Sequence, residues 1–294
     1  MKPNYIELKK QRELGEILSD TFAFLRAEFK PFFGTFFKIV GPFLAVMIVA
    51  LVAYIYFIGN NVNFMIIQTD NDAAGIATMF IVGLVYILSI IAVYTMSQST
   101  VLHYIKSYNA GQGQTDFETI KKEVYGSFWS FIGLGIIVGL SLFVGFILCI
   151  IPGIYLYVPL VLSFSIMVFD KMGPTDAYNE GFKLVKDEWW ITFATLFIIG
   201  IILYIAALAF SIPTVIYQWL KMGIFSGEMD AESVLNATTD PFYILFNVIS
   251  TIAQFLLNLI SIIATALIYF NLNEKKNFTG TFERIESLGK SSEE

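Results

Sequence analysis

The sequence predicts an all-α integral membrane bundle, and three observations carry that prediction. Hydrophobic residues make up 56% of the chain and charged residues only 14%, against roughly 45–50% and 25% in soluble domains. Apolar runs near residues 36–58, 76–98, 128–150, 154–169, 191–212 and 242–270 are mostly long enough to cross a hydrocarbon core, which takes about 20 residues. Of 18 Lys and Arg, all but Lys221 lie on one alternate set of the connections between those runs. Basic residues near helix ends resist translocation, so that side is expected in the cytoplasm, together with both termini.

Taken in order, residues 1–35 form a polar cytoplasmic N-terminus that leads into span one. Within it Leu14, Ile17, Leu18, Phe22, Leu25 and Phe29 recur at helical spacing, which predicts an amphipathic interfacial helix. Nothing before Leu14 resembles a cleaved signal peptide, so span one is expected to act as the signal anchor. Lys38 is the only charge inside a long apolar run. Its four-carbon stem lets the ammonium reach the headgroups. Span two ends inward at His103. Before span three, Thr115-Asp116-Phe117-Glu118 fits a capping box. The triplet Ile151-Pro152-Gly153 marks a turn, so spans three and four are expected to form a tight hairpin. Before span five, Gly173-Pro174 opens a further helix, with Tyr178, Phe182, Val185 and Trp189 on one face. The expected plan is three hairpins, each preceded by an amphipathic helix, in a membrane domain over residues 1–272. A polar cytoplasmic tail, residues 273–294, is free for contacts. Trp129, Trp189 and Trp190 are the expected interfacial anchors of the inner edge; Tyr56, Tyr155, Tyr217 and Trp219 mark the outer edge.

The first and third units align at an offset of 160 positions. Phe22, Glu28, Phe33, Thr35 and Phe37 match Phe182, Glu188, Phe193, Thr195 and Phe197. Lys122-Glu123 gives a weaker match for the middle unit. Either the chain holds three copies of helix plus hairpin, or any helix entering a membrane from the basic side looks this way.

Little of the chain suggests catalysis. There is one histidine, His103, and one cysteine, Cys149, and no motif for a nucleophile, a metal or a phosphate loop. The reading is of a non-enzyme with no cofactor and no metal. His103 is read as interfacial and Cys149 as packing filler. With net charge −6 no basic surface is offered to nucleic acid. No carboxylate lies in any span, which argues against a proton-driven pump. In span three, Gly135 and Gly139 stand at the spacing that lets another helix approach.

Span six carries Asn247, Thr251, Gln254, Asn258, Ser261 and Thr265 at steps of four, three, four, three and four. These form one polar stripe ~27 Å long. It is either interhelical glue or one wall of a polar cleft for a headgroup or solute.

Ile151-Pro152-Gly153-Ile154-Tyr155-Leu156, followed by Ala177, Leu184, Lys186 and Trp189-Trp190, resembles an uncharacterised bacterial multi-pass membrane family. That family includes the membrane domain fused to some glycerophosphodiester phosphodiesterases. Gly181 and Asp187 depart from it, where serine and glycine are common. The resemblance implies six spans, cytoplasmic ends and the bacterial inner membrane. It does not imply phosphodiesterase activity, which belongs to a separate soluble domain. The expected function is to organise protein partners or membrane lipids at the cytoplasmic face. The alternative is a transporter or lipid-handling protein using the span-six stripe.

Overall fold

The computed structural model describes residues 5–67, 73–224, 237 and 240–290. Among these residues there are helices and no strands. In chain order they are α1 (Leu14–Ala27), α2 (Phe29–Ile67), α3 (Ala73–Ala110), α4 (Phe117–Leu148), α5 (Ile150–Phe169), α6 (Pro174–Val185), α7 (Trp189–Lys221), α8 (Pro241–Asn277) and α9 (Thr279–Lys290). Six are long and apolar enough to cross a membrane: α2 over Phe29–Phe57, α3 over Ala77–Ala110, and α4, α5, α7 and α8 over their full lengths. The carboxylates expected on the outer side at Asp70, Asp72, Glu228, Asp230 and Glu232 lie outside the described residues.

Local chemistry explains the helix boundaries, with shifts from the sequence reading. Gly173 caps α6 with Pro174 in its first turn, where a missing N–H removes no helical bond. At α4 the cap is Asp116 rather than Thr115. The Asp116 carboxylate accepts from the Glu118 and Thr119 amides at 3.4 and 3.2 Å, and its carboxyl is held below the usual range by the Thr119 hydroxyl and amide. From Phe117 to Leu148 the helix is unbroken, so span three has no separate helix before it. The break between α4 and α5 is the single extended residue Cys149 (φ −172°, ψ 153°). Pro152 and Gly153 lie in the first turn of α5, so the reversal falls two residues before the Ile151-Pro152-Gly153 turn expected there. The close approach falls there too: a Cβ on Gly145 would stand 3.2 Å from the Gly153 Cα, whereas Gly135 and Gly139 face open space.

The chain divides into two compact units. The first comprises Met1–Ile39, Thr95–Ile201 and Leu259–Glu294. Its core is aromatic. Phe32 meets Tyr104 edge-on at 5.2 Å and Phe24 meets Tyr108 at 5.0 Å. The Tyr104 hydroxyl donates to the buried Glu28 carboxylate at 2.9 Å. The N-terminal segment is fastened by Arg12, 4% exposed. Its guanidinium donates to Asp20 at 2.9 Å, to the Leu8 and Lys10 carbonyls at 2.6 and 3.2 Å, and to the Glu7 carbonyl. The Arg12 amide donates to Asn271 at 2.8 Å.

The described part of the segment expected as a free tail, residues 273–290, packs against this one. Residues 273–277 continue α8. The buried Glu274 carboxylate then accepts from the Gly280 and Thr281 amides at 2.6 and 2.9 Å, starting α9. Gly280 lies so close to the Lys9 carbonyl that any Cβ would collide with it.

The two outer copies of the sequence repeat share their geometry. α1 and α6 start 160 positions apart, at Leu14 and Pro174, as do α2 and α7, at Phe29 and Trp189. In the first pair Ile17, Thr21 and Phe24 are buried where Ala177, Gly181 and Leu184 are; in the second, Phe32, Thr35, Phe36 and Ile39 match Thr192, Thr195, Leu196 and Ile199. Rings at Phe29, Phe33 and Phe37 follow one another at 4.8 and 5.9 Å, and those at Trp189, Phe193 and Phe197 at 5.3 and 5.7 Å.

The second unit comprises Val40–Tyr94 and Ile202–Asn258. Tyr54 stacks on Tyr86 at 5.0 Å and Tyr94 meets Phe255 at 5.7 Å. Between α7 and α8, Ser250 bonds the Thr214 hydroxyl at 2.9 Å and the Phe210 carbonyl at 2.7 Å. Asp240 accepts from Tyr217 at 2.7 Å and pairs with Lys221 at 3.1 Å. The Tyr217 bond, with Lys221 beside it, holds the Asp240 carboxyl at about 2.

Candidate functional site

The polar stripe of α8 divides between the two units, with Asn247, Thr251, Gln254 and Asn258 in the second and Ser261 and Thr265 in the first. Gln254 donates to Ser211 of α7 at 3.2 Å. Thr265 is buried and its hydroxyl turns back to the Ser261 carbonyl at 2.8 Å. Asn247, Thr251, Asn258 and Ser261 are half-buried. The buried α7–α8 hydroxyl pair, Thr214–Ser250, lies off the stripe.

The tryptophan anchors separate in kind. Trp129 and Trp190 are 77% and 75% exposed. Trp189 is half-buried. It stacks on Tyr155 at 5.4 Å and donates to the Tyr155 carbonyl at 3.2 Å. The sequence reading placed these two rings at opposite membrane edges; they form one cluster.

Two cavities stand out among the described residues, and no stripe residue lines either. One, of about 430 Å³, is an apolar groove of Ala45, Ala50 and Ala53 against Ile81, Val82 and Val85. The other, of about 630 Å³, lies at the basic end of the first unit, where α3, α4 and the end of α5 meet. Its volume is in the range of small-molecule sites. Lys106, Lys122 and Lys171 line it against a single carboxylate, Glu123. Each arrives there for a local reason. Lys106 stands one helical turn past His103 on α3. Lys122 and Glu123 lie in the early turns of α4, set by the Asp116 cap. Lys171 follows the end of α5 with φ 54°, a left-handed conformation that glycine takes without strain and lysine does not.

Charge balance in the cavity is uneven. Glu123 holds Lys106 at 2.7 Å. Among the described residues, no carboxylate stands within ion-pair distance of Lys122 or Lys171. Asp170, next to Lys171, is turned to the Tyr269 hydroxyl at 2.6 Å. Burial raises its carboxyl above the usual value, the Tyr269 bond notwithstanding. The cavity therefore presents two ammonium groups and the Ser130 hydroxyl, donors suited to phosphate oxygens, while the Thr119 and Ser127 hydroxyls already donate to Asp116 and the Val124 carbonyl.

His103 is buried in the protein, 5% exposed. Its Nδ1 lies 2.8 Å from the Ser99 carbonyl, so that nitrogen carries a proton. The Ser99 hydroxyl is 3.2 Å from the same Nδ1 and 3.0 Å from Ser127, and Glu123 is 4.0 Å from Nε2. This trio is not wired for acyl transfer. The nitrogen nearest the hydroxyl is already a donor, and the hydroxyl itself is buried. His103 instead braces α3 against α4 from beneath the cavity.

The sequence marks Lys106 and Lys171 only through membrane sidedness, and Lys122 and Glu123 also through the weaker repeat match. No family model, curated protein or solved structure matches the chain.

Proposed function

We propose that the chain is a non-enzymatic multi-pass protein of the bacterial inner membrane that holds anionic phospholipid at its cytoplasmic face. The observation that carries this reading is the cavity at the basic end, lined by Lys122 and Lys171, with no carboxylate among the described residues paired to either, and by Ser130. The exposed Trp129, on the same helix as Lys122, supports it, because its ring suits the headgroup layer. We also propose that α1–α2 and α6–α7 descend from one duplicated unit, with α1 and α6 as interfacial helices. Membership in the family of phosphodiesterase-linked membrane domains is proposed on the residues around Pro152-Gly153 and Trp189-Trp190.

The test is lipid enrichment in nanodiscs of mixed phosphatidylglycerol and phosphatidylcholine. A basic residue near an anionic surface contributes about 1 kcal/mol. Lys122→Gln with Lys171→Gln should thus weaken the preference for phosphatidylglycerol by ~30-fold. Lys121→Gln, exposed and outside the cavity, should leave it unchanged. Competition by inorganic phosphate would assign the site to the free anion instead of the lipid. Equal enrichment in the double variant and the parent would refute the proposal.

A further inference from the structure

We infer that the α4–α5 hairpin does not cross the membrane but lies inclined in the leaflet at the basic end, its tip among the acyl chains. This rests on the membrane reading and not on the lipid cavity.

The first argument is the level of the two ends of α5 against α8. At its C-terminal end, Asp170 is bonded to Tyr269 at 2.6 Å and Phe169 packs on Phe270 at 4.7 Å. At its N-terminal end, Tyr155 is stacked on Trp189. The residue before that tryptophan, Glu188, pairs with Lys275 at 3.0 Å, and Lys276 donates to the Lys183 carbonyl at 2.8 Å. A helix crossing outward from Asp170 would carry Tyr155 about 22 Å from the level of Tyr269, away from the basic end. Its neighbours instead lead, through the long Glu188 and Lys275 side chains, back toward the level of Tyr269 at the basic end of α8. The discrepancy is about 20 Å along the helix axis. α6 holds α5 in this attitude: Gly181 lies so close that a Cβ there would stand 2.5 Å from the Pro159 carbonyl oxygen.

The second argument is the chemistry of the tip. From Leu142 to Ile154 no side chain is charged, and none hydrogen-bonds strongly. Ile147, Leu148, Ile150 and Ile151 are 68%, 75%, 68% and 74% exposed. A turn emerging into water would solvate this whole apolar surface, whereas hydrocarbon accepts it. The backbone cost of the reversal is confined to the first turn of α5, where the Ile150 and Ile151 amides have no helical partner. The reversal takes one residue, Cys149. Its amide stays bonded to the Gly145 carbonyl at 3.2 Å, and Pro152 brings no N–H to satisfy. The partner of this surface is therefore lipid acyl chain, which leaves α2, α3, α7 and α8 to cross.

Cys149 is the sole cysteine and reports on the tip directly. In sealed right-side-out and inverted vesicles, a membrane-impermeant maleimide should fail to modify it from either face. A Lys121→Cys reporter in a Cys149→Ala chain should react from one face only. A bimane attached to Cys149 after solubilisation, then reconstituted, should be quenched several-fold more by lipids with a nitroxide deep on the chain than by headgroup nitroxides. Modification of Cys149 by the impermeant reagent from either face, or strongest quenching at headgroup depth, would overturn the inference. The lipid-enrichment assay is indifferent to both outcomes.

Discussion

Replacing Gly181 by alanine tests the α5–α6 contact on which the attitude of α5 depends. The added Cβ would stand 2.5 Å from the Pro159 carbonyl oxygen and 2.8 Å from the Ser163 hydroxyl. The hydroxyl can rotate away. The carbonyl is helix backbone and cannot. The helices must open by about 0.9 Å to restore the 3.4 Å of ordinary contact. Overpacking of this kind costs about 1–3 kcal/mol, a fall in thermal midpoint of roughly 3–10 °C for a chain of this size. Gly200 on α7 supplies the opposite case, since nothing lies within 4 Å of its Cβ position. There alanine should gain up to about 1 kcal/mol from helix propensity. Thermal unfolding of both variants in one detergent, followed by tryptophan fluorescence, gives two shifts of opposite sign. If Gly181→Ala is as stable as the parent, α6 does not press on Pro159 and the argument for the inclined hairpin loses its brace.

Three further outcomes are expected. Lys171→Gly should raise stability by about 1 kcal/mol by relieving the left-handed backbone while lowering phosphatidylglycerol enrichment, so the two readouts move in opposite directions. Burial raises the Asp20 carboxyl, but its bonds to Arg12 and Lys10 outweigh that and leave it below the usual 3.8. The stabilisation is thus complete above that value and is lost as pH falls through the depressed one, so proteolysis near Arg12 should accelerate only in strong acid. Asp20→Asn should show the fast cleavage already at neutral pH. Glu274→Gln weakens the charged cap on the Gly280 and Thr281 amides by about 1–2 kcal/mol. Faster amide exchange confined to residues 279–290 should report it, and unchanged protection there would refute the cap.

What the sequence made legible follows from what is local. The Gly173-Pro174 start of α6, the apolar runs and the offset between Phe29 and Trp189 depend on neighbours within a few turns, and each appears where periodicity and capping place it. Thr115 was displaced by one residue because either hydroxyl or carboxylate can cap, and only the geometry shows that Asp116 reaches the free amides. The Arg12–Asn271 bond and the Gly280–Lys9 approach join segments at opposite ends of the chain, and no pattern in either segment names the other. The inclination inferred for the α4–α5 hairpin has no signature in the sequence for a different reason. An apolar run of 20 residues measures whether a helix is long enough to cross, and carries no information on its inclination.

The same distinction separates charge sign from charge availability. Sidedness depends on how many basic residues stand on one set of connections, and there each lysine counts alike. Ligand binding depends on which of them remain without a partner. Lys10 and Arg12 are held by Asp20, Lys106 by Glu123, Lys183 by Glu180 and Lys275 by Glu188, while Lys38 lies over the Phe117 ring. Much of the basic face is thereby occupied in joining helix ends. In the cavity the one carboxylate is committed to Lys106, and Asp170 is turned away to Tyr269. Lys122 and Lys171 thus face the cavity with their charge unanswered. An anion that enters must displace water from them and need not displace a carboxylate, which is why specificity should reside in this pair and not in the basic face as a whole.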